Sequence, residues 1–165
     1  MKTIRKTFLE FKILGLNFFV PFLILIAIFV VNAFMSNYKL GLDFTLNTYQ
    51  IFIPFFAAWW SIFILYELLE QDGGELLLSC NSNKIKLGIL SNLKFYLIYM
   101  AVSNLLIIAN LFLFYDLFNV YFLLQIAFKC LFVSSFSFFI MVLIKNSGWS
   151  IFCIIVYVFY CLCFL

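Results

Sequence analysis

Five stretches of this chain are so long and so apolar that lipid, rather than water, must solvate them. They run over residues 14–35, 51–69, 93–115, 120–144 and 149–165. Asn17, Pro21 and Asn32 are the breaks in the first, and Trp59 and Trp60 lie in the second. A membrane-crossing helix needs about 20 mainly apolar residues. Each stretch is apolar nearly all the way round, which suits helices packed in lipid. Alternation of apolar and polar residues, the mark of a membrane barrel, is missing. The sequence therefore predicts an all-α integral membrane helical bundle with about five transmembrane helices, as one transmembrane domain over residues 1–165.

Composition sharpens this. The chain is 67% hydrophobic and 10% charged, against about 45–50% and about 25% in soluble domains. Its mean hydropathy is +1.19. A soluble enzyme, a nucleic-acid binder and a disordered tail are excluded as classes. The basic start resembles that of a signal peptide, but the first apolar run is longer than the usual 7–15 residues, so it reads as a span.

The Lys and Arg residues set an orientation. Lys2, Arg5, Lys6 and Lys12 precede the first span, Lys84, Lys86 and Lys94 flank the connection between spans two and three, and Lys145 follows span four. Those eight share one side of a five-span protein, against Lys39 alone on the other. Positive residues stay inside, which predicts a multi-pass protein of the cell membrane with a cytoplasmic N-terminus and an outer C-terminus. Ile4, Phe8 and Phe11 follow helical spacing among the first basic residues. That segment reads either as an interfacial helix on the inner leaflet or as a charged tail that sets topology.

The chemistry of the residues argues against catalysis. The chain has no His, which removes the commonest general base and metal ligand. No Ser or Cys therefore has the usual activating partner. The phosphate-cradling G-x-x-x-x-G-K-[ST] loop is missing, so any ATP-driven action needs another polypeptide. Glu67, Glu70, Asp72 and Glu75 cluster without the spacing of a calcium loop, and read as a solvated acidic face. Cys130, Cys153, Cys161 and Cys163 lie in apolar runs and read as small hydrophobes. The expectation is a non-enzyme with no catalytic residue, no metal and no cofactor.

Most predicted connections are short: Asp116–Asn119 and Lys145–Gly148 are tight turns, and Ser36–Gln50 is a moderate outer loop. The inner connection from Glu67 to Asn92 is longer, with acids first and bases last. Gly73-Gly74 breaks it from the second span. Glu75 to Ser79 then makes about one helical turn, with Glu75 placed to suit the helix dipole, and Asn81-Ser82-Asn83 closes it.

The run Glu75-Leu76-Leu77-Leu78-Ser79, followed by a turn and Lys84, resembles the inner loop of type 2 ABC exporter permeases. In that family an acidic residue, a Gly-Thr-Leu-Glu-Leu-Leu run, a Pro-containing turn and a basic residue form a coupling helix. Anchored on Glu75, the family's basic position falls on Lys84, and Glu70 matches the upstream acid. Gly73-Gly74 stands where the family has Thr-Leu, and Asn81 where it has Pro. The resemblance implies that Glu70, Glu75, Leu76, Leu77, Leu78, Ser79 and Lys84 contact a separate cytoplasmic ATPase subunit. It also implies a second permease chain, as a homo- or heterodimer, in the lipid bilayer. The family has six spans, so a fifth-span ending implies a short or C-terminally truncated permease. The alternatives are a small stand-alone membrane protein, such as a toxin-immunity protein, and an inactive truncated permease.

Lys129 is the residue that a bilayer tolerates least. It lies about 14 Å of helical rise into span four, where a lysine costs about 2.5–3.5 kcal/mol on insertion scales. No acid lies well inside any other span; Asp116 and Glu67 sit at edges. Two readings stand. Lys129 lines a polar translocation path, with Gln125, Ser134, Asn104 or Asn110 near it, or it snorkels toward the interface. Ser134, Ser135 and Ser137 read as helix-packing residues.

Overall fold

Continuous apolar sequence leaves a backbone in lipid only one way to satisfy its own polar groups within a single segment, which is the α-helix. The computed structural model describes residues 17, 19–36, 41–69, 84–115 and 119–163, and the fold is all-α. Its helices are α1 (Val20–Met35), α2 (Gly41–Leu69), α3 (Lys84–Tyr115), α4 (Val120–Ile144) and α5 (Ser147–Cys163). Within α2, α3 and α4, the segments Gly41–Tyr66, Gly88–Tyr115 and Val120–Ile144 are long and apolar enough to cross a membrane. α1 and α5 are shorter apolar helices.

Four helix starts differ from expectation: α1 begins at Val20 rather than residue 14, α5 at Ser147 rather than residue 149, and α2 and α3 also begin earlier. α2 begins at Gly41, so most of the predicted Ser36–Gln50 loop is helix. Asp43 in the first turn complements the positive end of the helix dipole. Thr48 donates its hydroxyl to the Phe44 carbonyl at 2.7 Å, satisfying it inside the helix. α3 begins at Lys84 rather than residue 93. The connection between α2 and α3 thus shrinks to residues 70–83, which lie outside the described residues. So do the N-terminal segment 1–16 and the expected coupling helix. The predicted fourth span matches α4. Asn119 caps it, accepting the Phe122 N–H at 3.2 Å. At its other end Lys145 takes the left-handed conformation, φ 53°. Asn146 Oδ1 then accepts the Trp149 N–H at 3.0 Å and starts α5.

α2 is the centre of the bundle and packs against each of the other four helices. Tyr49, Ile53 and Trp60 of α2 are buried with Phe95, Tyr99 and Ile107 of α3 and with Ile126 and Cys130 of α4. A second apolar cluster joins Ala58, Ile62 and Leu65 to Val133, Ile140, Met141 and Ile154. Small side chains bring α2 and α4 together: Ser61 and Ser134 hydroxyls lie 2.7 Å apart, and Ser137 donates to the Ala58 carbonyl at 3.4 Å. Small residues at helix contacts are how lipid-embedded helices approach closely. The outer surfaces carry exposed Leu105, Phe112, Phe128, Leu143 and Phe159. Apolar patches of that extent belong against lipid rather than water.

Candidate functional site

α2 and α4 run in the same direction, since Gln50 pairs with Lys129 and Ser61 with Ser134. Both helices start at the end of the bundle marked by Gly41 and finish toward the end marked by Lys145. That parallel course puts Gln50 and Lys129 at the same depth, each about 14 Å from the start of its helix. Lys129 is half-buried and its Nζ donates to Gln50 Oε1 at 3.0 Å. The partner is a neutral amide, so the contact satisfies one donor and leaves the charge unbalanced. Among described side chains the one acid is Asp43, exposed in the first turn of α2.

The pair stands on the wall of a cavity of about 740 Å³ between α2, α4 and α5. α2 contributes Asn47, Gln50, Ile51 and Pro54; α4 contributes Phe128, Lys129, Phe132 and Val133; α5 contributes Tyr157 and Val158. Of the residues on its wall, Phe128 and Phe132 are exposed at the bundle surface. Asn47, Gln50 and Pro54 share a face of α2 because they are spaced three and then four apart. Pro54 lies inside the helix and has no N–H to give to the Gln50 carbonyl one turn earlier. The helical ladder therefore lacks one hydrogen bond where the cavity sits. Polar groups (Asn47, Gln50, Lys129) gather toward the Gly41 end, while Pro54, Phe132, Val133, Tyr157 and Val158 line the deeper part. Such a chamber, mostly apolar with a few convergent polar groups, has the make-up of a small-molecule site.

The other residues expected near Lys129 do not line the cavity with it, although Gln125 is one turn away on α4. Gln125 is exposed on α4 and does not line the cavity. Ser134 belongs to a buried polar contact with Ser61 and Asn92, whose Oδ1 accepts from Ser61 at 2.7 Å. Asn110 is fully buried on α3 and donates to the Phe29 carbonyl of α1 at 3.5 Å. Its Oδ1, the Asn104 Oδ1, the Tyr49 hydroxyl and the Asn32 side chain are buried without a well-formed hydrogen bond. Lys84 opens α3, but its side chain lies outside the described ones. Glu70, Glu75, Leu76, Leu77, Leu78 and Ser79 lie outside the described residues altogether. Among the described residues no trio of His, Cys, Asp or Glu could hold a metal ion.

Sequence reasoning found Lys129 and missed Asn47, Gln50, Pro54 and Tyr157. The signal for three of them was present. Asn47 and Gln50 just ahead of an apolar span, with Pro54 at helical spacing inside it, mark one face of a longer helix. No family model, curated protein or solved structure matches the chain.

Proposed function

We propose that the chain is the membrane-spanning permease subunit of an ABC exporter, which moves an amphiphilic substrate, a peptide or a lipid-like compound, using a separate cytoplasmic ATPase. The observation that carries this reading is the cavity between α2, α4 and α5, which joins polar and apolar walls at mid-helix depth. The Glu75-Leu76-Leu77-Leu78-Ser79 run supports the ATPase side of the reading. It lies in the connection that joins α2 to α3, so a push on it moves α2. Because α2 carries Gln50 and Pro54, such a movement against α4 changes the Gln50–Lys129 contact and the shape of the cavity. The basic residues orient the chain in the cell membrane with its N-terminus in the cytoplasm and the Gly41 end outside. A second permease chain completes the transporter.

The test is co-purification from cross-linked native membranes. Wild type should bring down an ATPase subunit. Leu77→Asp combined with Leu78→Asp should lose it while the chain stays inserted, because acids replace apolar anchors at a protein contact. An ATPase that stays bound to the double variant, or never accompanies wild type, overturns the reading. One observation favours a second reading. All the residues that line the cavity come from one chain, as a stand-alone amphiphile-binding protein such as a toxin-immunity protein would require.

A further inference from the structure

The cavity is asymmetric in two ways that together specify an occupant. Its Gly41-end wall holds a lysine and two amides. Its deeper wall holds rings and branched aliphatics. Lys129 has three N–H donors and Gln50 Nε2 has two, and the Lys129–Gln50 bond uses one of the five. What the wall lacks is a negative charge. Among the described residues a second copy of this chain brings none at this depth, since Asp43 lies about 10 Å of helical rise nearer the helix start and is exposed. A cation held at mid-membrane without an acid is expensive, and an anionic group beside it relieves that expense through charge-assisted hydrogen bonds.

We infer that this cavity binds a single-chain amphiphile with one anionic head group. The head oxygens accept from Lys129 Nζ and Gln50 Nε2, with Asn47 beside them. The tail lies along Phe132, Val133 and Tyr157, toward the middle of the bilayer. Asn47 and Pro54 are separated by about 10 Å of rise, so the polar-to-apolar gradient follows the membrane normal. An amphiphile seated this way keeps the orientation it has in the leaflet at the Gly41 end. The name of substrate for this ligand rests on the permease reading; its binding is a property of the chain alone.

The experiment uses the purified full chain in nanodiscs of zwitterionic phosphatidylcholine, with a diazirine-bearing hexadecanoate as photoprobe and no ATPase. Hexadecanoate should compete at least about tenfold better than hexadecanol, because a hydrogen bond to a charged group outweighs a neutral one. Cross-links should map to α4 and α5 around Phe132 and Tyr157. Lys129→Met should weaken binding by about tenfold or more, and it should insert at least as well as wild type because it removes the mid-membrane charge. Lys129→Arg should stay within about threefold, since it keeps a cation and its donors. Equal competition by the alcohol, or unchanged binding by Lys129→Met, overturns the inference. So does a co-purifying membrane protein that is lost in Lys129→Met, which would assign the cation to a partner's acid. Failure here leaves ATPase co-purification untouched, and failure of co-purification leaves this binding untouched.

Discussion

Trp60 is the largest fully buried side chain, 1% exposed, and it ties three helices together. Its ring meets Phe22 of α1 at 5.2 Å, Phe95 of α3 at 5.6 Å and Tyr99 of α3 at 5.5 Å, all edge to face. Substituting Trp60→Ala removes all three contacts. In a soluble core such a change costs about 3–5 kcal/mol, part of it the transfer of the ring from water. In a bilayer that transfer part largely vanishes, because a ring released from the bundle enters lipid instead of water. What remains is packing. Three aromatic pairs at about 0.5–1.5 kcal/mol each give about 1.5–4.5 kcal/mol. Trp60→Ala should therefore destabilise the bundle by about 2–4 kcal/mol, and Trp60→Phe, which keeps one ring, by less than about 1.5 kcal/mol. Reversible unfolding in mixed micelles, followed as a function of the denaturing detergent's mole fraction, reads both values. A loss below about 1 kcal/mol for Trp60→Ala would refute the claim that ring packing at this residue holds α1, α2 and α3 together.

Three further outcomes are expected. A double-mutant cycle with Ser61→Ala and Ser134→Ala should give a coupling near 0.6 kcal/mol and below about 1.7 kcal/mol, the range for hydrogen bonds between lipid-embedded helices; the same unfolding assay measures it. A Cβ at Gly41 would overlap the Met35 carbonyl and press on the Tyr115 hydroxyl, so Gly41→Ala should cost about 1–3 kcal/mol as overpacking, and wild-type stability in that variant would contradict the close approach of α1 and α2. Single cysteines at Asn119 and Lys145, in a background without native Cys, should differ in labelling by an impermeant thiol reagent on intact cells: Asn119→Cys reacts and Lys145→Cys does not, and the reverse pattern would invert the orientation.

How much was legible varied from element to element. α4 could be read residue for residue, because its apolar run is bounded by an N-capping Asn119 and by the polar pair Lys145-Asn146. The start of α2 could not. Asp43, Thr45, Asn47, Thr48, Tyr49 and Gln50 lower the local hydropathy, and polarity there looks like a loop. In the bundle those side chains have uses that a one-dimensional reading cannot weigh. Thr45 bonds the Tyr115 hydroxyl at 3.1 Å, Tyr49 is buried, and Gln50 meets Lys129. Lys129 stood out because charge inside an apolar run is costly whatever surrounds it. Its partner did not, because choosing among Gln125, Asn104, Asn110 and Gln50 requires knowing which faces of which helices meet. Depth along a span was legible; rotation about its axis was not.

The permease reading requires that ATP turnover move α2 against α4 where the cavity sits. The most direct measurement is the distance between spin labels at Asn47→Cys and Phe128→Cys, both exposed beside the cavity. It should be made by pulsed dipolar spectroscopy on the complex purified from native membranes, with and without trapped ATP. A second, resolved distance population should appear with ATP and be lost in the Leu77→Asp, Leu78→Asp background. A single distance distribution, unchanged by ATP, would contradict it.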